Sequence, residues 1–238
     1  MAALTVLALL VIAGFVKEIS RTPVSARSAA LTATTRVASH SPSPRPSPSP
    51  SAAAAARQVT DGSSGLSYRL LSRPWQRGCP GVLDTPVFSW TAGEHAVAGP
   101  ADIGGTVIDW HGNACSGLLQ QDFAYSGPAD LEPVATAVAA ATDPAYYSGL
   151  NHDRTLEGSS AMQVSGRPAW LVTFSMTYPD AAAEGLAWTS EEGAVMVVDR
   201  GAGATPALFY ASVPGNLGRG TITTLIDSLK LDGAGRGD

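Results

Sequence analysis

The clearest periodicity in the chain lies at residues 168–178. There Trp170, Val172, Phe174, Met176 and Tyr178 alternate with Leu171, Thr173, Ser175 and Thr177. Period-two alternation puts the first set on one face of a β-strand and the second set on the other. Ser159 to Val164 reads as a partner strand, joined through Ser165-Gly166-Arg167 as a hairpin. Ala194–Asp199 (AVMVVD) and Ala207–Val213 (ALFYASV) are nearly unbroken apolar runs, the pattern of strands buried on both faces. The glycine-containing stretch Arg200–Pro206 connects them, and Pro214-Gly215 stops the second. Upstream, Gly65–Ser72 predicts a first strand, and Glu94–Ala98 and Gly105–Trp110 two short ones. Helical spacing occurs twice. Leu131, Val134, Ala135 and Val138 follow Ser126-Gly127-Pro128, with Asp130 as the expected cap and Pro133 in the first turn. Ile222, Leu225, Ile226 and Leu229 form the second stripe, ending near Lys230. This order predicts an α+β fold, a mostly antiparallel sheet covered by two helices.

The N-terminal quarter follows different rules. Ala2 to Val16 is a continuous apolar run. At about 1.5 Å per residue such a helix spans roughly 22 Å, short of the ~30 Å hydrocarbon core. Residues 1–19 are therefore expected to be a transmembrane anchor or a signal segment. No Lys or Arg precedes the run, whereas Lys17, Arg21 and Arg27 follow it. A start site assigned too late would account for both the shortness and the missing basic residues. Ser41–Ser51 reads SPSPRPSPSPS and is followed by Ala52–Ala56. Alternating proline favours an extended spacer. Residues 20–60 are read as a disordered tether, with a reach on the order of 100 Å when extended. A globular domain is expected over 61–231 and a flexible tail over 232–238.

Charge sharpens this division. The net charge of -5 conceals 6 basic and 1 acidic residue in 1–60, against 9 basic and 19 acidic residues in 61–238. An acidic domain argues against nucleic acid and anionic polymers as partners. A basic tether suits a membrane surface. Arginine outnumbers lysine 13 to 2, a compositional bias that resembles proteins of high-GC bacteria.

Taken together, the chain resembles a family. An N-terminal anchor and a Ser/Pro tether lead into GLSYRLLSRPW. VSGRPAWLVTFSMTYP, GAVMVVDRG and ALFYASVP follow, then an amphipathic helix ending SLK. This looks like actinobacterial extracytoplasmic proteins of the PsbP-like α/β/α sandwich type, and is similar to the secreted mycobacterial lipoproteins of the Lpq type. The likeness covers about Gly65 to Lys230 and rests on element order and the Gly166–Ala169 hairpin. The lipobox cysteine of the lipoprotein members is missing. The resemblance implies a binding or assembly role rather than catalysis.

Candidate chemistry is sparse. Cys79 and Cys115, 36 positions apart, are the only cysteines and are expected to pair outside the membrane, with two buried thiols as the alternative. Asp109, His111 and Cys115 do not match a recurrent zinc spacing, so no metal is expected. Gly201-Ala202-Gly203 lies between two strands, not before a helix, so it lacks the helix N-terminus a dinucleotide loop needs and no cofactor is expected. No G-x-S-x-G elbow is present, and Ser159, Ser160 and Ser190 have no evident base. Glu191-Glu192 reads as a solvated turn, and Glu94-His95 and His152-Asp153 as surface or turn positions. Trp75, Trp90, Trp110 and Trp188 fall in loop-like or strand-end contexts, where they either pack on the sheet edges or form an exposed binding surface.

The function expected from these observations is a membrane-tethered extracytoplasmic domain that binds a protein or cell-envelope component without catalysis. The rival is an envelope hydrolase with an unrecognised site. A pocket uniting a histidine, a carboxylate and a hydroxyl would favour that rival.

Overall fold

The computed structural model describes residues 57–201 and 203–232. The expected anchor over 1–19 and nearly all of the tether and tail lie outside the described residues. Among the described residues, no helix is long and apolar enough to cross a membrane.

Among the described residues, ten strands form two sheets. The small sheet has the order β1 (Gln58–Thr60), β2 (Leu66–Arg69) and β10 (Lys230–Leu231), with β2 central. Residues 58–60, expected to belong to the tether, form a strand instead. Val59 is buried in β1, and an apolar side chain there has more to gain by pairing than by staying solvated. The large sheet has seven strands in the order β3 (Gln76–Arg77), β4 (Ala92–Ile103), β5 (Thr106–Leu118), β9 (Ala207–Pro214), β8 (Ser190–Val198), β7 (Arg167–Thr177) and β6 (Asp153–Val164). Every pairing in both sheets is antiparallel.

Each face of the large sheet has its own core. Helix α1 (Leu131–Thr142) packs its Leu131, Val134, Ala135 and Val138 stripe on one face, against Val172, Phe174, Val195 and Tyr210. Helix α2 (Thr221–Ser228) and the small sheet cover the other face, where Ile222 and Leu225 join Leu66, Met196, Phe209 and Val213. The result is an α+β sandwich in which β9 is buried along its whole length, as its apolar run requires.

Several local expectations shift. Strands β4 and β5 are far longer than the two short segments expected, because small residues (Gly93, Ala96, Ala98, Ala101, Gly112, Ala114) carry the inward positions without a strong apolar alternation. Asp130 does not cap α1. Its carboxylate accepts the Ser126 backbone N–H at 2.7 Å and the Ser126 hydroxyl at 2.6 Å, closing the preceding turn instead. The β6–β7 hairpin turns on Ser165 and Gly166, both at positive φ, while Arg167 already belongs to β7.

The two edges of the large sheet are treated differently. On the β4 side, the Gly78 N–H bonds Gly93 O at 2.7 Å, the Asp102 N–H bonds Glu184 O at 3.0 Å, and the Asn216 amide donates to Ala98 O at 2.7 Å. The Cys79–Cys115 disulfide pins the strap that makes the first of these closures, while the β7–β8 connection and the turn after β9 make the other two. A side chain at Gly93 would run into Cys79 Sγ, so this crossing needs glycine. On the other side, β6 pairs with β7 alone.

Candidate functional site

Three groups of polar side chains stand out. The first is buried. Glu191 sits on β8 with no exposed surface, and the neighbouring Glu192 points to solvent. The reading of Glu191-Glu192 as a solvated turn is therefore wrong for Glu191. The strand extends back to Ser190, so alternation carries position 191 into the core. Its Oε2 accepts Trp110 Nε1–H at 3.1 Å and the Tyr178 hydroxyl at 2.9 Å. Its Oε1 accepts the Tyr147 hydroxyl at 3.1 Å and the Ser212 hydroxyl. Tyr147 and Tyr210 share a further bond at 2.7 Å. Burial pushes the Glu191 carboxyl above its usual range, and the four donors pull it back. The same burial, reinforced by the Glu191 charge, raises the Tyr147, Tyr178 and Tyr210 phenols. Every hydroxyl proton has an acceptor in this network, and four donors satisfy the buried carboxyl group. The cluster is almost wholly buried and ties β5, β8 and β9 to the five-residue π-turn Asp143–Tyr147.

The second group is Glu94 on β4, also without exposed surface. Its Oε2 accepts the Leu71 N–H at 2.9 Å, while its Oε1 is buried without a hydrogen-bond partner. Desolvation pushes this carboxyl up to about 7 despite the Leu71 bond and the opposing charge of Arg77 on β3. Glu94-His95 is thus not a pair of surface residues. His95 Nδ1 lies 2.7 Å from Gly78 O, and its ring is 5.4 Å from that of His111. Burial and the His95 charge lower the His111 pKa. His152 is also mostly covered. Its Nδ1 lies 2.9 Å from Leu150 O and its Nε2 3.3 Å from Asp143.

The third group lines an open cleft of about 980 Å³ between residues 119–130 and the β8–β9 connection. Arg167, Asp199 and Tyr125 form its polar centre. The Arg167 guanidinium donates to Asp199 Oδ2 and to Asp199 O, both at 3.3 Å, and the Tyr125 hydroxyl donates to Asp199 Oδ1 at 2.9 Å. Desolvation and the adjacent Asp199 raise the Tyr125 phenol. Gly201 lies against the guanidinium, so the glycine pair rejected as a dinucleotide loop instead forms a cleft rim.

The four tryptophans considered as a binding surface do not form one. Trp75, Trp90, Trp110 and Trp188 are 8%, 9%, 9% and 3% exposed. Trp75 packs in the α2-side core and the other three in the α1-side core. Trp90 stacks on Phe88 and Tyr210, and Trp110 on Trp188. Rings this large gain more by leaving water for the two cores than by forming an exposed surface. Ser159 accepts Trp170 Nε1–H at 2.8 Å. Cys115 is held in the disulfide with Cys79 and does not join Asp109 and His111. Among the described residues, no three His, Cys, Asp or Glu side chains converge to hold a metal.

No protein-family model matches the chain, and no curated protein matches it. Among solved structures, it is similar to the solution structure of cyanobacterial PsbP (CyanoP) from Synechocystis sp. PCC 6803. The identity is 12%, the match covers 74% of this chain and 93% of that one, and the TM-score is 0.43.

Proposed function

We propose that the chain is a membrane-tethered extracytoplasmic protein whose domain binds a protein or cell-envelope component and catalyses no reaction. The observation that carries this reading is the composition of the open cleft. It brings together carboxylates (Asp130, Asp199), hydroxyls (Tyr125, Ser126, Thr205) and one guanidinium, with no histidine or lysine among its described lining residues. A hydrolase of the kind considered needs a hydroxyl, a histidine and a carboxylate in one pocket. The histidines His95, His111 and His152 lie elsewhere, and the bonds of His95 and His152 go to backbone carbonyls and to Asp143. The hydrolase alternative is accordingly not favoured. What remains in the cleft is a set of fixed donors and acceptors suited to recognition.

The disulfide supports an oxidising location. The apolar run at residues 2–16 and the Ser/Pro tract support attachment to a membrane through a spacer. The succession of motifs from GLSYRLLSRPW to SLK supports a place among PsbP-like extracytoplasmic proteins. In-cell cross-linking of the full chain, with protease shaving of intact cells, tests the proposal. A specific cross-linked partner and protease access to the domain are expected. A domain fully protected in intact cells, or no partner above background, counts against it.

A further inference from the structure

The large sheet closes one edge and leaves the other open. The β4 edge is covered by the disulfide-pinned strap, by Glu184 and by Asn216. Strand β6, twelve residues long, pairs with β7 through eleven registered positions and has no neighbour on its outer side among the described residues. An unpaired strand edge presents a row of backbone N–H and C=O groups, which proteins usually blunt with lysine, proline, bulges or a covering segment. Here Glu157 forms a bulge between Leu156 and Gly158. Beyond it, Gly158-Ser159-Ser160-Ala161-Met162-Gln163 carries no charge, no lysine and no proline. Ser159, Ser160, Ala161 and Gln163 are exposed.

The side chains beside this strip say what fits it. Arg154 is turned inward, with its guanidinium 3.7 Å from the Phe174 ring centre and donating to Ala139 O at 2.8 Å. It also faces Asp143 at 3.8 Å. The charges left at the surface of the strand are therefore Asp153 and Glu157, both acidic and both exposed. Leu156 lies between them, 62% exposed. From these features, and resting on the binding role proposed above, we infer that the outer edge of β6 accepts an extended, neutral-to-basic segment of a partner protein as an eighth strand. Backbone bonds along Gly158–Gln163 supply the attachment, as in strand addition generally. A basic residue opposite Asp153 or Glu157 sets the register, and an apolar side chain covers Leu156. A second copy of the chain fits less well, because it would bring the same acidic residues and another domain rich in carboxylates.

The test uses the oxidised full chain and a synthetic nine-residue peptide that alternates valine with threonine and ends in lysine on both sides. Hydrogen exchange and fluorescence anisotropy are the readouts. The peptide is expected to slow amide exchange within 158–163. Methylating its alternate backbone nitrogens removes half of the strand donors and is expected to weaken binding by at least about tenfold. Replacing the terminal lysines with glutamate should weaken it by roughly several-fold at low salt. Equal binding of the methylated and unmethylated peptides, or no binding, overturns the inference. Protection confined to 199–206 also overturns it, but leaves the cleft and the binding role standing. Protection of 158–163 that rises with protein concentration alone assigns the edge to a second copy and overturns the partner assignment. Loss of every cross-linked partner in cells, by contrast, falls on the binding role itself.

Discussion

Glu94 makes the stability of this domain depend on pH, and the substitution Glu94→Gln isolates its share. In the folded chain the carboxyl titrates near 7, against 4.5 for an unperturbed glutamate, because β4 holds it out of water with one oxygen unpartnered. A folded-state pKa raised above the unfolded value means that the folded form binds a proton more tightly. The associated stability is fully present below pH 4.5 and is lost as pH rises through 7. The full span corresponds to about 3 kcal/mol, and relaxation of the folded chain around the ionised carboxylate reduces this to roughly 1–2 kcal/mol. A glutamine cannot ionise, so the variant should lose that decline. Its amide keeps an acceptor for the Leu71 N–H but places two hydrogens where an oxygen now sits, at a pH-independent cost of about 1–3 kcal/mol. The assay is urea unfolding of the oxidised full chain at several pH values between 4.5 and 8, followed by tryptophan fluorescence. The difference between wild type and variant should narrow by roughly 1–2 kcal/mol across that range. His111, with its lowered pKa, loses stability as pH falls, the opposite sense, but it is common to both proteins and cancels. Parallel stability curves for the two proteins would refute the argument.

The disulfide and the tryptophans offer further tests. Replacing Cys79 and Cys115 with serine opens a loop of 36 residues and should cost roughly 3–4 kcal/mol in the chain-entropy description, read as a lower urea midpoint with a steeper slope because the unfolded chain expands. Trp110 and Trp188 stack on each other but differ in one atom's fate. Trp110 Nε1–H serves Glu191, while Trp188 Nε1 is buried without a partner. Trp110→Phe should therefore cost about 1–3 kcal/mol more than Trp188→Phe, because it leaves the buried carboxyl short of a donor. Equal losses in calorimetry would show that ring packing alone decides both.

What the sequence makes legible follows from how strongly each segment commits to one environment. Strand β7 alternates over nine residues and β9 is apolar throughout, so both are readable from pattern alone. The stripes of α1 and α2 are equally plain. Strands β4 and β5 place Gly and Ala at many of their inward positions instead, with Pro100 exposed within β4. Residues that small fit either a loop or a crowded sheet, and only the neighbouring strands decide between them. Glu191 and Glu94 were hidden for a related reason. A carboxylate announces solvent until two tyrosines, a tryptophan and a serine, drawn from β5, the π-turn, β9 and the turn after β7, converge on it. The pairing of Cys79 with Cys115 follows from their being the only two. The roles of Arg167, Asp199 and Tyr125 could not be read, since the three are joined only when the ends of β7 and β8 meet the loop before α1.

The small sheet carries a mechanical consequence. Gln58–Thr60 and Lys230–Leu231 flank β2 in one three-stranded unit, so the first and last described strands of the domain meet at the same place. A pull applied at residue 57 reaches the β1–β2 ladder first, and that ladder holds only three residue pairs. Under load β1 should peel away while the seven-stranded sheet keeps its shape. The short ladder acts as a fuse, adding a few residues of extended chain before any force reaches the cleft or the open edge of β6.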